Sequence, residues 1–173
     1  MPTAGPSAWP ATAEGPPAAG GRVEAGAAGV LNFEEHDEAE RLEWILERTS
    51  GRGADVTIEA TGAPNAVVQA MRFTRDAGRV VIIGQYTDHG PVSPDAGFNP
   101  HLDLNKKHLE VRGCWGSDFS HFYRSAQIVS DPVRSTPWTS LKSHLSRYNL
   151  AEANEALADV ASGRVLKALI NPR

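Results

Sequence analysis

The 173-residue chain has a single cysteine, Cys114, and no long hydrophobic run. One cysteine excludes a framework of disulfides within the chain. No apolar run reaches the ~18 residues that a membrane-spanning helix requires. The N-terminus also lacks the basic start and the apolar stretch of a secretory signal. These absences favour a protein of the reducing cytoplasm that does not enter a membrane.

The chain also lacks an excess of positive charge. It has 17 Lys and Arg residues against 21 Asp and Glu residues, which gives a formal net charge of −4. Nucleic-acid binders usually carry a clustered basic face that contacts the phosphate backbone, so we expect no nucleic-acid partner. Hydrophobic residues make up 40% and charged residues 22%. This composition is typical of a globular protein, and the length suits roughly one domain.

Residues 1–29 are mostly Ala, Gly and Pro, with five prolines in the first seventeen positions. This stretch shows neither a helical nor a strand period. It offers little apolar surface to offset the entropy cost of ordering the chain. We therefore expect residues 1–29 to be a disordered leader.

From residue 30 onward, short apolar runs alternate with helical patterns. Val80-Val81-Ile82-Ile83 places four adjacent β-forming residues together, which indicates a central parallel strand that is buried on both faces. The alternation predicts an α/β fold with a doubly wound parallel sheet. Strands are predicted at Val30–Phe33, Asp55–Ala60, Val80–Gly84 and Glu110–Trp115, with a final strand at Val165–Ile170.

Helix boundaries can be predicted from capping residues. Asp37 lies three positions before Glu40, as in a capping box at the start of a helix. A second helix is expected to carry Val67, Met71 and Thr74 on its inner face and to end at Gly78 in a left-handed conformation. A third helix is expected around 122–129. Asn149 and Glu152 form another capping pair.

Four segments together resemble a known family: Ala54–Gly62, Gly78–Gly84, Lys107–Gly113 and Ser162–Lys167. In this order and spacing they resemble the medium-chain dehydrogenases, specifically the zinc-type alcohol and polyol dehydrogenases. The resemblance implies a Rossmann domain that binds NAD or NADP, of which this chain would hold strands three to six. It also implies a zinc-bearing catalytic domain. The expected divisions are a leader at 1–29, a partial NAD(P)-binding domain at 30–117 and a C-terminal catalytic-domain segment at 118–173.

The dinucleotide fingerprint G-x-G-x-x-G does not occur in the chain. Gly26-Ala27-Ala28-Gly29 contains glycine, but it precedes a predicted strand instead of following one. By resemblance, the zinc ligands and the acidic residue that reads the ribose hydroxyls belong to regions that this sequence does not contain. We therefore expect cofactor binding to be weak or lost, and we expect no zinc ligand here.

The resemblance implies cofactor contacts at strand ends and at one cation, with no catalytic or metal-binding residue. Ligands of open α/β sheets lie at the carboxyl ends of the strands, and glycine there allows close approach to the backbone. The expected cofactor-binding residues are Thr61, Gly62, Ile83, Gly84, Gln85, Gly116, Ser117 and Lys167. Four alternatives remain open: a plain turn at 61–62, an ordinary strand-end glycine at Gly84, a helix cap at Ser117 and a surface lysine at Lys167.

Other residues that could carry chemistry have simpler interpretations. Cys114 lies in a predicted apolar strand, where cysteine behaves as a small hydrophobic residue. His101 and Asp103 lack an evident third ligand for zinc. Glu59 falls in a buried strand, so we expect its carboxyl group to be hydrogen-bonded and structural.

The resemblance implies part of an enzyme that transfers hydride between a small alcohol and a nicotinamide cofactor, but that is not catalytic alone. A non-catalytic truncated or scaffold protein is the alternative; it would associate with an intact dehydrogenase as a homo- or hetero-oligomer. An unrelated methyltransferase-like α/β domain is a third possibility.

Overall fold

The computed structural model describes residues 26–33, 35–84, 90–140, 145–162, 164–165 and 167–172. Most of the expected leader at 1–29, and the expected site residue Gln85, lie outside the described residues. The chain forms two compact units, and one of them spans Asp37–Gly116. The domain divisions expected from the sequence stay a prediction.

The unit Asp37–Gly116 alternates helices and strands. Its elements are helix α1 (Glu38–Arg48), strand β1 (Ala54–Glu59), helix α2 (Ala66–Phe73), strand β2 (Thr74–Ile82), a 3-10 turn (Pro94–Ala96), a π-helical turn (Pro100–Asn105) and strand β3 (Glu110–Gly113).

The three strands form one parallel sheet in the order β1-β2-β3. Glu59 pairs with Ile82, and Ile82 pairs with Gly113 on the other side. Val80 in the central strand is fully buried and belongs to a core with Ala70 and Met71 of α2. The predicted α/β fold with a parallel sheet is therefore confirmed.

The capping pair predicted for α1 is present. The Asp37 side chain accepts from the amide nitrogen of Glu40, and the Glu40 side chain accepts from the amide nitrogen of Asp37, each at 2.9 Å. The helix ends at Arg48, and Gly51 follows with a positive φ of 76°. The helix start predicted from Asp37 and Glu40 is confirmed.

The predicted end of α2 is wrong. Thr74 opens β2 instead of extending the helix, and Ala77, not Gly78, is left-handed, with φ 53°. Four residues, 75–78, bulge from β2, because Ala54 pairs with Thr74 whereas Val56 pairs with Arg79. Gly78 is required for space: a Cβ there would lie 2.5 Å from Cγ2 of Thr74.

The predicted strand Val30–Phe33 is also wrong. Only Asn32 forms a bridge, and Phe33 lies in a turn. The Asn32 side-chain amide donates to Oε1 of Glu35 at 2.9 Å, which favours local turn structure over an extended strand. β2 and β3 end two residues before their predicted ends.

The described residues after Gly116 form a second α/β arrangement. Its elements are helices α3 (Phe119–Ser130) and α4 (Pro132–Ser140), strand β4 (Leu145–Asn149), a 3-10 turn (Leu150–Glu152), helix α5 (Ala153–Ala161) and strand β5 (Lys167–Asn171). β4 pairs in parallel with β5. No described helix combines the length and the apolar character that crossing a bilayer demands.

Two capping predictions concern this part of the chain. Asp118, not Ser117, caps α3, because its Oδ1 accepts from the amide nitrogens of Ser120 (2.7 Å) and His121 (3.2 Å). The alternative of Ser117 as the helix cap is therefore wrong. The pair of Asn149 and Glu152 is confirmed, with the Asn149 amide donating to Oε2 of Glu152 at 2.6 Å.

Candidate functional site

The carboxyl ends of β1, β2 and β3 lie at one edge of the sheet because the three strands run parallel. Residues 60–62 follow β1, residues 83–84 follow β2, and residues 114–116 follow β3. We call these three segments the carboxyl edge. In open α/β sheets, ligands bind at this edge.

The side chain of Glu59 organises the segment after β1. Glu59 is 3% exposed, and its Oε1 accepts three hydrogen bonds. The donors are the Thr61 amide (2.7 Å), the Thr61 hydroxyl (2.8 Å) and the Gly62 amide (2.9 Å). The Thr61 hydroxyl in turn accepts from the Ala63 amide at 3.1 Å. The hydrogen-bonded structural role expected for Glu59 is confirmed.

The main chain of Glu59 holds the segment after β2. Its carbonyl oxygen accepts from the amide nitrogens of Ile83 (2.9 Å) and Gly84 (3.0 Å). One residue therefore hydrogen-bonds to both turns, through its side chain to one and through its backbone to the other.

The two turns are in direct contact at Gly84. A Cβ on Gly84 would lie 2.5 Å from the amide nitrogens of Thr61 and Gly62 and 2.6 Å from the carbonyl carbon of Ala60. Real Cβ atoms do not approach backbone so closely, so this position requires glycine. Gly62 is buried and has a φ of 76°, which also favours glycine. The structure thus brings together Thr61, Gly62, Ile83 and Gly84.

The third segment of the edge follows β3. The Cys114 amide donates to the carbonyl oxygen of Ile82 at 2.9 Å, which extends the pairing with β2 by one residue. Cys114 is exposed and lies beyond the strand, so its predicted place in a buried strand is wrong. Gly116 has a φ of 73°, and a Cβ there would meet no atom within 4 Å.

Two expected site residues lie beyond this unit. Ser117 and Lys167 are both exposed, and Lys167 opens β5. Their cofactor contacts stay predictions, as does that of Gln85, which lies outside the described residues.

The sequence did not predict that Glu59 accepts hydrogen bonds from both turns, the one after β1 and the one after β2. The signal was an acidic residue in an apolar strand followed by Thr-Gly. Its partners depend on how the chain turns at Gly62, which the residue pattern does not specify.

Asp103 pairs with an arginine instead of forming a metal site with His101. Its Oδ1 lies 3.2 Å from Nε of Arg72, and its Oδ2 accepts from the Asn99 amide at 2.8 Å. The hydrogen bonds that Arg72 donates to the carboxylates of Glu38 and Asp103 raise its pKa above the usual value. Across the described ranges, no three His, Cys, Asp or Glu side chains come together as metal ligands.

The family model described as zinc-binding dehydrogenase matches residues 23–131. The chain is 28% identical over 148 residues to 5-exo-hydroxycamphor dehydrogenase of Pseudomonas putida, and the matched region covers 84% of this chain and 38% of that protein. It is 30% identical over 141 residues to erythritol/L-threitol dehydrogenase of Mycolicibacterium smegmatis, and the matched region covers 78% of this chain and 33% of that protein.

A crystal structure of an alcohol dehydrogenase from Thermotoga maritima matches the fold with a TM-score of 0.76 and 30% sequence identity. The match covers 89% of this chain and 40% of that chain. The chain therefore spans two-fifths or less of the length of these three relatives.

Proposed function

Because the chain belongs to the zinc-binding dehydrogenase family, we propose that its carboxyl edge forms one wall of a site for NAD or NADP. The observation that supports this proposal most strongly is the contact of Gly84 with the Thr61–Gly62 turn, where two adjacent parallel strands end. In a whole enzyme of this type, the cofactor accepts or donates the hydride that is exchanged with a small alcohol.

The residues at the edge fit such a cofactor. Glycine follows each of the three strands, at Gly62, Gly84 and Gly116. The first two let the neighbouring turns pack on each other, and Gly116 leaves its strand end open to a flat ring or a ribose. Gly116 also has open space around its Cα. Gly62, Ile83, Gly84 and Gly116 would meet the cofactor through backbone atoms, and the cofactor contacts expected of Ser117 and Lys167 stay predictions.

The described residues do not fit zinc. A catalytic zinc takes three protein ligands, and the described parts of the chain bring no three suitable side chains together. We therefore propose that the chain contributes a cofactor-facing wall and does not oxidise alcohols by itself.

Calorimetric titration of the full chain with NAD⁺ and with NADP⁺ tests this proposal. We expect saturable binding with a dissociation constant above about 1 mM, which corresponds to a binding free energy of less than about 4 kcal/mol in magnitude. The reason is that the sequence contains no glycine-rich phosphate loop. An absorbance assay at the NADH band should show no reduction of NAD⁺ by simple alcohols. Micromolar affinity, or NADH formation by the chain alone, would contradict the proposal.

Association with an intact dehydrogenase is a second candidate function. Three apolar side chains of α3 are largely exposed: Phe119 at 82%, Phe122 at 66% and Val129 at 66%. Their spacing places them on one helix face, and exposed apolar patches often mark interfaces. Sedimentation of the chain alone and mixed with a full-length relative tests this. A complex that is lost in Phe122→Ser supports association, and monomers in both samples contradict it.

A further inference from the structure

Four backbone amides at the ends of β1 and β2 donate to Glu59. The amides of Thr61 and Gly62 donate to Oε1 of Glu59, and those of Ile83 and Gly84 donate to its carbonyl oxygen. Phosphate sites in proteins are built from backbone N–H groups that point at the ligand. At these two strand ends, the four groups that would serve that purpose are already engaged.

We propose that Glu59 is a positioning residue that withdraws the Thr61 and Gly62 donors from any ligand, so that this turn rejects phosphate. The turn keeps only acceptor capacity, since every carbonyl oxygen has two lone pairs. It therefore suits ligand groups that donate hydrogen bonds, such as hydroxyl or amino groups. The identification of the ligand as a dinucleotide rests on the proposed function; the withdrawal of the donors rests on geometry alone.

The burial of Glu59 supports an indirect role. At 3% exposure its carboxyl group does not meet a ligand itself, so it acts through the turn that it holds. Its second oxygen, Oε2, is buried and accepts no hydrogen bond from the described residues. Substitution by Gln keeps the Oε1 acceptor and changes only the end of the side chain that has no partner. Substitution by Met keeps a similar length but removes the acceptor.

NMR spectra of the ¹⁵N-labelled full chain, titrated with inorganic pyrophosphate, test the proposal. The Thr61 and Gly62 amide signals of the wild type and of Glu59→Gln should not shift. In Glu59→Met the turn loses its internal acceptor and is free to turn its amides outward. These amides should then respond, with pyrophosphate bound about tenfold more tightly than in the wild type, the value of roughly one charge-assisted hydrogen bond. A merely structural role would destabilise the Met variant without creating this response.

Three results would overturn the proposal: a pyrophosphate response at Thr61 and Gly62 in the wild type, the same response in Glu59→Gln, or no gain in a folded Glu59→Met. Should the Met variant not fold, hydrogen exchange in the wild type decides. Slow exchange of the Thr61 and Gly62 amides together with insensitivity to pyrophosphate supports the proposal, and fast exchange overturns it. A parallel NAD⁺ titration separates the two claims, because strand-end amides that ignore NAD⁺ contradict only the proposed function.

Discussion

The amide nitrogen of Gly62 occupies the position that a side chain on Gly84 would need: a Cβ on Gly84 would lie 2.5 Å from it. These residues follow different strands, β1 and β2, which lie side by side in the sheet. The contact fixes how closely the two strand ends approach each other, and with it the shape of the proposed cofactor-facing wall.

Gly84→Ala tests this contact. The added methyl group meets backbone atoms on the neighbouring turn, which cannot rotate away as a flexible side chain would. We expect the free energy of unfolding to fall by about 1–3 kcal/mol, the usual cost of overpacking. Urea unfolding of the purified chain measures the change.

Gly113→Ala is the matched control, because a Cβ on Gly113 of β3 would meet no atom within 4 Å. We expect a change within about 0.5 kcal/mol. Equal losses in both variants would show that the Gly84 contact is not tight.

Two substitutions of Glu59 separate the acceptor from the charge. Glu59→Gln keeps an acceptor for the three donors on Oε1, so we expect the free energy of unfolding to change by less than about 1 kcal/mol. Glu59→Ala leaves the buried Gly62 amide unsatisfied and creates a cavity, which should cost about 2–4 kcal/mol. Thermal unfolding followed by circular dichroism measures both. A larger loss in the Gln variant than in the Ala variant would contradict the assignment of Oε1 as the organising acceptor.

Lys107 holds the C-terminal end of α2. Its Nζ donates to the carbonyl oxygens of Met71 at 2.7 Å and Arg72 at 2.9 Å. These two hydrogen bonds satisfy carbonyl groups at the end of the helix, so Lys107→Met should lower the free energy of unfolding by about 1–3 kcal/mol. The exposed neighbour Lys106 provides the control, since Lys106→Met should change the stability by less than about 0.5 kcal/mol. Indistinguishable urea midpoints for the two variants would contradict this function of Lys107.

Burial lowers the pKa of Lys107 below its usual value of 10.5. The fold therefore penalises the protonated amine relative to the unfolded chain, and the penalty applies in full below the folded-state pKa. It disappears as the pH rises through that value toward 10.5, so this group makes the free energy of unfolding rise with pH in that alkaline interval. The difference in stability between the wild type and Lys107→Met should grow with pH there. A difference that shrinks instead would contradict the sign.

Arg72 joins three parts of the unit Asp37–Gly116. It contacts Glu38 of α1 through Nη1 (2.9 Å), Asp103 through Nε (3.2 Å) and the Ala96 carbonyl through Nη2 (2.9 Å). Lysine lacks the planar fork that makes these contacts together, so Arg72→Lys should lower the free energy of unfolding by about 1–3 kcal/mol. Arg79→Lys should cost less than about 1 kcal/mol, because Arg79 pairs with Glu110 on an exposed surface. A larger loss at Arg79 would argue against the Arg72 network.

The core of the sheet could be predicted from the sequence because its signal is local. The run Val80–Ile83 indicates the central strand of the sheet. Its predicted burial on both faces holds only for Val80, because Ile83 is 42% exposed. The capping pair of Asp37 and Glu40 also acts within one turn of chain.

The errors arose where distant parts of the chain decide the outcome. The apolar run Val30–Phe33 forms only a single bridge, because a strand needs a hydrogen-bonded neighbour that the pattern cannot supply. Leu145–Asn149 is polar at three of five positions and was not predicted, yet it pairs with β5 some twenty residues further along the chain. Thr74 fits the helical spacing of α2 and still donates to the Ala70 carbonyl at 2.6 Å, although it opens β2.

NMR titration of the ¹⁵N-labelled full chain with NAD⁺ shows whether the carboxyl edge faces the cofactor. We expect the amide signals of Gly62, Ile83, Gly84 and Gly116 to shift saturably as NAD⁺ is added. Shifts confined to residues away from the three strand ends, or spectra that stay unchanged at NAD⁺ concentrations far above the expected dissociation constant, would rule this out.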